Sequence, residues 1–283
     1  MALSEQLEHR LAEYTLVPDS DIPLLQATLT IGLVSGLEID FDEEQRHFNA
    51  MAEGARERME GVEKPQIAFQ KLLDFFFRDL GFNGDSEDYY NPENSLMHVV
   101  LEKAKGIPIT LSILFIELAR AVGFDVFGVG FPGHFLIGAR LVEKHRPEVT
   151  YHDPFQQGHS LSSYELQEML DAIYGHHVHL TEMHLRPVTN RYMLTRVLNN
   201  LKMAYSRNHH NEETLRVLDA LLLLDPSDLR NIRDRGLINA HLGHYQQALV
   251  DLEKYVEADT TNRDRQIVVR HLTMVRRILG IKM

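Results

Sequence analysis

The chain contains no cysteine among its 283 residues. That excludes disulfides, thiolate metal sites and thiol catalysis together. Long apolar runs are also missing, since no stretch approaches the ~18 consecutive apolar residues of a membrane-spanning helix. The opening segment, Met-Ala-Leu-Ser-Glu-Gln-Leu-Glu-His-Arg, lacks the basic-then-apolar layout of a signal peptide. The expected location is therefore cytoplasmic. Positive charge is scarce: 29 Lys and Arg face 41 Asp and Glu, a net charge of −12. Such a balance argues against nucleic acid or a membrane as the principal partner.

What remains is ordinary for a globular protein, with 44% hydrophobic and 25% charged residues. The length suggests two domains. The most informative stretch runs from Gly106 to Asp153. Pro108 suits a first helical turn and Gly123 the position just past a helix end. Between them Leu111, Ile113, Leu114, Phe115, Ile116, Leu118, Ala119, Ala121 and Val122 leave only Glu117 and Arg120 charged. A helix apolar almost all round is a buried helix.

After Gly123 the period changes to two. Phe135, Ile137, Ala139 and Leu141 alternate with His134, Leu136, Gly138 and Arg140, the pattern of a strand beginning at His134. Val142 to Glu148 reads as a turn, and Val149 to Phe155 as a returning strand. A hairpin centred near residues 143–145 brings His134 opposite Asp153 to within a residue or two. A buried helix followed by His and then Asp on a hairpin is the layout of a Cys-His-Asp site. In such a site a thiol at the helix N-terminus is the nucleophile, the His its base and the Asp the orienting group.

Gly106-Ile-Pro, Leu114-Phe115, Ala119-Arg120-Ala121-Val122-Gly123, Gly133-His134-Phe135 and Asp153-Pro154-Phe155 resemble the transglutaminase-like core. More closely, the chain resembles the bacterial SirB family, in which that core precedes tetratricopeptide repeats, and Tyr90-Asn91-Pro92 with Asn94-Ser95 also fits that family. The resemblance covers roughly residues 20–283. It implies an α+β fold: a transglutaminase-like (papain-like) core with N-terminal helices, followed by an all-α repeat segment. It also aligns Pro108 with the nucleophilic Cys, leaving Pro108, His134 and Asp153 as a vestigial site. Asn94, Ser95, Phe135 and Phe155 are the implied cleft-lining residues.

Residues 1–80 read as helices. Asp21 is a candidate N-cap, Asp42 to Met59 is amphipathic, and Phe69, Leu72, Leu73, Phe76 and Phe77 share one apolar face. Residues 81–95 are rich in turn formers, and Asn94 or Ser95 is a candidate cap for Leu96 to Lys103. Gly128-Val-Gly-Phe-Pro-Gly133 matches a dinucleotide fingerprint as a string, but a strand follows it where that site needs a helix. Ser162 or Ser163 caps a helix over Tyr164 to Tyr174. Four histidines lie between His176 and His184; they lack a helical ligand spacing, so a strand is expected there, with no metal and no cofactor.

Pro226 and Thr260 stand 34 residues apart at equivalent places, the tetratricopeptide period. Gly236, Gly243-His-Tyr245, Ala248-Leu249 and Leu252 fit one repeat. Tyr205, Leu215, Leu218, Leu221 and Asp225-Pro226 fit a degenerate one. Asn262 to Leu279 follows as a capping helix. The expected domains are 1–190 and 191–283.

Two functional readings follow. In the first, the protein has lost its nucleophile and binds a protein partner through the repeats, since proline neither attacks nor titrates. In the second, it is a hydrolase or acyltransferase using Thr110 or Ser112 with His134 and Asp153. Both hydroxyls lie near the helix start, where the macrodipole favours an anion. They stand two and four residues past the Cys position and so point in different directions.

Overall fold

The computed structural model describes residues 5–143, 146–258 and 264–281. The chain divides into two compact units: Pro18–Gly32 with Glu38–Val197, and Met1–Val17 with Leu33–Leu37 and Leu198–Met283.

The first unit is built around α6 (Pro108–Ala121). Every residue from Pro108 to Ile116 is buried, as are Leu118 and Ala119. Its earlier helices are α2 (Leu24–Gly32), α3 (Phe41–Met59), α4 (Pro65–Asp74) and α5 (Met97–Lys103). Phe115 of α6 holds Phe69, Phe76 and Phe77 at ring-centroid distances of 5.9, 5.4 and 5.8 Å. The aromatic face foreseen in the sequence is thus core. A glycine turn closes α6. Gly123 takes φ of 96°, its N–H donates to Arg120 O, and Phe124 N donates to Ala119 O at 2.9 Å. These are the two bonds of a Schellman cap.

Two short strands, β1 (Asn83–Gly84) and β2 (Lys105–Gly106), pair in parallel just before α6. The main sheet follows, with β3 (Asp125–Val129), β4 (Leu136–Glu143), β5 (Arg146–Asp153) and β6 (His159–Leu161) paired antiparallel in chain order. The expected turn over Val142–Glu148 is largely strand, with Val142 opposite Pro147 and Glu143 opposite Arg146; residues 144–145 lie outside the described residues. Then come α7 (Ser163–Tyr174) and α8 (Asn190–Arg207). Ser162 caps α7 reciprocally with Glu165.

In the second unit α8 is followed by α9 (Asn211–Leu224), α10 (Leu229–Leu242), α11 (Tyr245–Ala258) and α12 (Arg265–Ile278). These are two helix pairs and a further helix. Gly236 is where α10 and α11 approach, since a Cβ there would sit 2.8 Å from Leu252.

Four other differences from the sequence reading lie outside the site. α1 (Glu5–Leu16) buries Leu7 and Leu11 and touches α9, while Arg216 Nε donates to Val34 O at 2.7 Å. α1 and residues 33–37 thus pack with the repeat helices, a grouping that the expected 1–190 and 191–283 division does not include. Asp21 ends a 3₁₀ turn; its neighbour Asp19 instead accepts from Asn190 N and Arg191 N and caps α8. Neither Asn94 nor Ser95 caps α5, whose N-cap is Leu96 with no side-chain bond; both lie in a 3₁₀ turn over Pro92–Ser95 that Asn91 caps. Residues 176–181 pair with no strand, and a 3₁₀ turn follows over Glu182–Leu185.

Candidate functional site

His134 precedes β4 rather than standing on it. Its N–H donates to Phe131 O at 3.0 Å, closing a β-turn with Pro132 and Gly133 at its centre. Gly133 has φ of 67°. Proline followed by a positive-φ glycine is the type II combination, and it turns the chain into β4 with His134 at the corner. The Gly128–Gly133 string accordingly occupies β3 and this turn, and no helix starts in it.

The register pairs Ile137 with His152, which sets Asp153 at the mouth of the β4–β5 ladder. There His134 Nε2 lies 2.9 Å from Asp153 Oδ1. A carboxylate only accepts, so Nε2 carries the hydrogen and Nδ1 is left as the ring's base. Asp153 is buried and its Oδ1 also accepts from Phe155 N at 2.8 Å and Gln156 N at 3.2 Å. The pair is anchored to the backbone and not merely touching.

A chain of contacts joins this pair to the start of α6. The Phe155 ring lies against Gly84, where a Cβ would come within 2.2 Å. Gly84 pairs with Gly106, two residues before Pro108. Over the same place folds the loop from Asp85 to Ser95. Asp85 Oδ1 accepts from Glu87 N and Asp88 N, and Asn94 Nδ2 donates to Asp85 Oδ2 and Asp88 O. Burial alone would raise the Asp85 carboxyl, but the Asp88 N–H, Asn94 and the Glu87 N–H, with the charge of Lys105, together hold it below its ordinary range. Tyr89 stands edge-on to Phe155 at 5.9 Å.

Pro108, Asn94, Ser95 and Phe135 are all buried, and only Phe155 of the expected cleft residues is partly exposed. Thr110 and Ser112 are fully buried. The Thr110 hydroxyl donates to Asn94 O at 2.8 Å and accepts from Ile107 N at 3.1 Å, tying the loop to the helix start. Thr110→Val should therefore cost about 1 kcal/mol in urea denaturation, because it removes both hydroxyl bonds and leaves Ile107 N and Asn94 O only their own long bond of 3.4 Å. Ser112 stands one turn beyond Pro108 and so shares its face, contrary to the divergent direction expected from the sequence. Its Oγ has no hydrogen-bond partner among the described residues.

Sequence reasoning missed His152. It points to the opposite side of β5 from Asp153, as alternation requires, and its ring lies 5.4 Å from that of Phe69. Its Nδ1 is 3.2 Å from Gly158 O and its Nε2 2.9 Å from Thr150 Oγ1. Nδ1 therefore carries the hydrogen of a neutral ring. Burial pushes its pKa down to about 4, outweighing the Gly158 bond. The His176–His184 segment behaves otherwise. His177 pairs with Asp171 at 2.9 Å, and among the described residues no group of three or more potential ligands is placed to hold a metal.

In the second unit the sequence did not single out Arg235. Its guanidinium grips Asp251 with two bonds of 2.7 and 2.8 Å and Asp219 with one of 2.9 Å. These bonds, those to Asp251 foremost, raise its pKa further, while burial pushes the Asp219 carboxyl up. The cluster lines a cavity of about 510 Å³ between α9, α10 and α11, together with Leu215, Asn239, Gln247 and Val250.

Two family comparisons agree with this architecture. Residues 42–199 match the transglutaminase-like superfamily and residues 201–273 the tetratricopeptide repeat. The chain belongs to the transglutaminase-like superfamily. Among its relatives, a UPF0162 protein of Xylella fastidiosa is 30% identical over 90% of this chain and 91% of its own length. A UPF0162 protein of Vibrio cholerae is 34% identical over 67% of this chain and 68% of its own. The protein SirB1 of Salmonella typhimurium is 29% identical over 72% and 74%. No solved structure matches. No helix among the described residues is long and apolar enough to cross a membrane.

Proposed function

We propose that this protein is a non-catalytic transglutaminase-like protein, acting in the cytoplasm as a regulatory module that binds a protein partner through its repeats. One observation carries the reading: the His134–Asp153 pair is kept in place in a chain without cysteine, with Pro108 where the resemblance puts the nucleophile of active relatives. Losing a covalent nucleophile removes orders of magnitude in rate. The commitment of Thr110 to Asn94 and Ile107, and the complete burial of Ser112, support the same reading. What is left of the site then serves as a clasp that fixes β4, β5 and the loop over residues 85–95 around the start of α6.

The groove between α9, α10 and α11 is the proposed binding surface. Arg235 balances only one of two carboxylates there, and Leu215 and Val250 offer apolar walls. Val250 is 65% exposed, so changing it should leave the fold alone. Capture of a specific partner from bacterial lysate by the full chain should be lost in Val250→Arg and kept in His134→Ala. Capture that survives Val250→Arg but fails in His134→Ala would move the binding site to the first unit.

A further inference from the structure

α12 contains no Asp or Glu, yet carries Arg265, Arg270, His271, Arg276 and Arg277 in a chain of net charge −12. One side packs into the repeat core through Val268, Leu272 and Val275. On the adjoining flank, roughly 100° round the helix, Ile267, Met274 and Ile278 are 48%, 44% and 49% exposed. Three large apolar side chains in a row on one face are not the scattered exposure of an ordinary surface.

Their spacing is informative. Ile267, His271, Met274 and Ile278 succeed one another by four, three and four residues, the seam of a two-helix coiled coil. Arg270 and Arg277 then fall at the same flanking position of consecutive heptads, where charge selects the partner helix. Both are exposed and neither makes an ion pair among the described residues. Arg276, by contrast, is neutralised by Glu253 at 2.8 Å.

The geometry points to the outer face of α12 as a docking surface for an acidic amphipathic helix of a partner protein. Apolar residues of that helix would cover Ile267, Met274 and Ile278, and Glu or Asp beside its seam would meet Arg270 and Arg277. A second copy of α12 fits poorly: antiparallel it would set arginine against arginine, and parallel it would set each arginine against the flank of Val268 and Val275, which is already buried in the repeat core. An anionic bilayer fits poorly too, since the rest of the chain is strongly acidic and the face carries no aromatic anchor. This surface is separate from the groove between α9, α10 and α11, so the proposal does not depend on that groove.

The test uses the full chain and two labelled three-heptad peptides with Leu at the seam, one flanked by Glu and the other by Lys. Fluorescence anisotropy should show saturable binding of the Glu peptide only, weakening as salt rises. Arg270→Glu with Arg277→Glu should weaken that binding at least fivefold and create a preference for the Lys peptide. Met274→Asp should abolish both, with circular dichroism unchanged in each variant. Absence of binding, equal binding of the two peptides, or indifference to charge reversal would overturn the proposal. So would sedimentation with phosphatidylglycerol vesicles that Met274→Asp removes, which assigns the face to a membrane. Dimerisation that Met274→Asp removes would overturn it in favour of a second copy.

Discussion

Asp153→Ala should destabilise the first unit by about 3 kcal/mol, far more than His134→Ala, which should cost about 1 kcal/mol. The difference follows from what each change leaves behind. Asp153 is 1% exposed and accepts from the imidazole and two backbone N–H groups at once. Removing it strands the Phe155 and Gln156 N–H groups and loosens the turn that lays Phe155 on Gly84. His134 is 18% exposed, so its loss lets water reach the carboxylate, and the backbone bonds persist. Asp153→Asn should fall between the two, because the amide oxygen still accepts. Urea denaturation of the three variants checks the order. Equal costs for Asp153→Ala and His134→Ala would mean that the pair matters only as an ion pair.

Acidification should remove roughly 2–3 kcal/mol between pH 7 and pH 4.5 through His152 alone. Its folded pKa is about 4 against an ordinary value of 6.5, because burial against Phe69 disfavours the charged ring. Between those values the unfolded chain binds the proton and the folded chain does not. Stability from this group is therefore complete above pH 6.5, declines as pH falls, and is gone once the folded ring also protonates below about 4. Carboxylates held low, such as Asp85, lose their contribution at still lower pH. Comparing urea midpoints of the wild type and His152→Gln at both pH values isolates the histidine. The variant should lack this loss, and parallel curves would show that the ring is already charged in the folded protein.

Much of this site was legible in the sequence because local chemistry wrote it there. Pro108 and Gly123 bracketed α6, and an apolar helix has no exposed face to misplace. His134 and Asp153 were brought opposite each other by hairpin arithmetic alone. The same arithmetic puts His134 on the strand, because the alternation starts two residues before β4, which begins at Leu136. Pro132-Gly133 was the signal of the turn that in fact holds it. Other features had no local signature. α1 is amphipathic, and amphipathicity says which residues are buried but not against what; its union with α9 is a long-range outcome. Residues 176–181 were expected to form a strand, but the segment found no partner. Arg235 was hidden because its two aspartates lie on neighbouring helices sixteen residues away in either direction.

A core without a working nucleophile should not react covalently with reagents aimed at activated hydroxyls. The most direct test is intact-mass spectrometry of the full chain after separate incubation with a fluorophosphonate and with a β-lactone, reagents that acylate or phosphonylate activated hydroxyls. The predicted result is an unchanged mass, with Thr110 and Ser112 unlabelled in peptide maps. A stoichiometric adduct on Thr110 or Ser112, lost in His134→Ala, would contradict it and make this protein a hydroxyl-dependent enzyme.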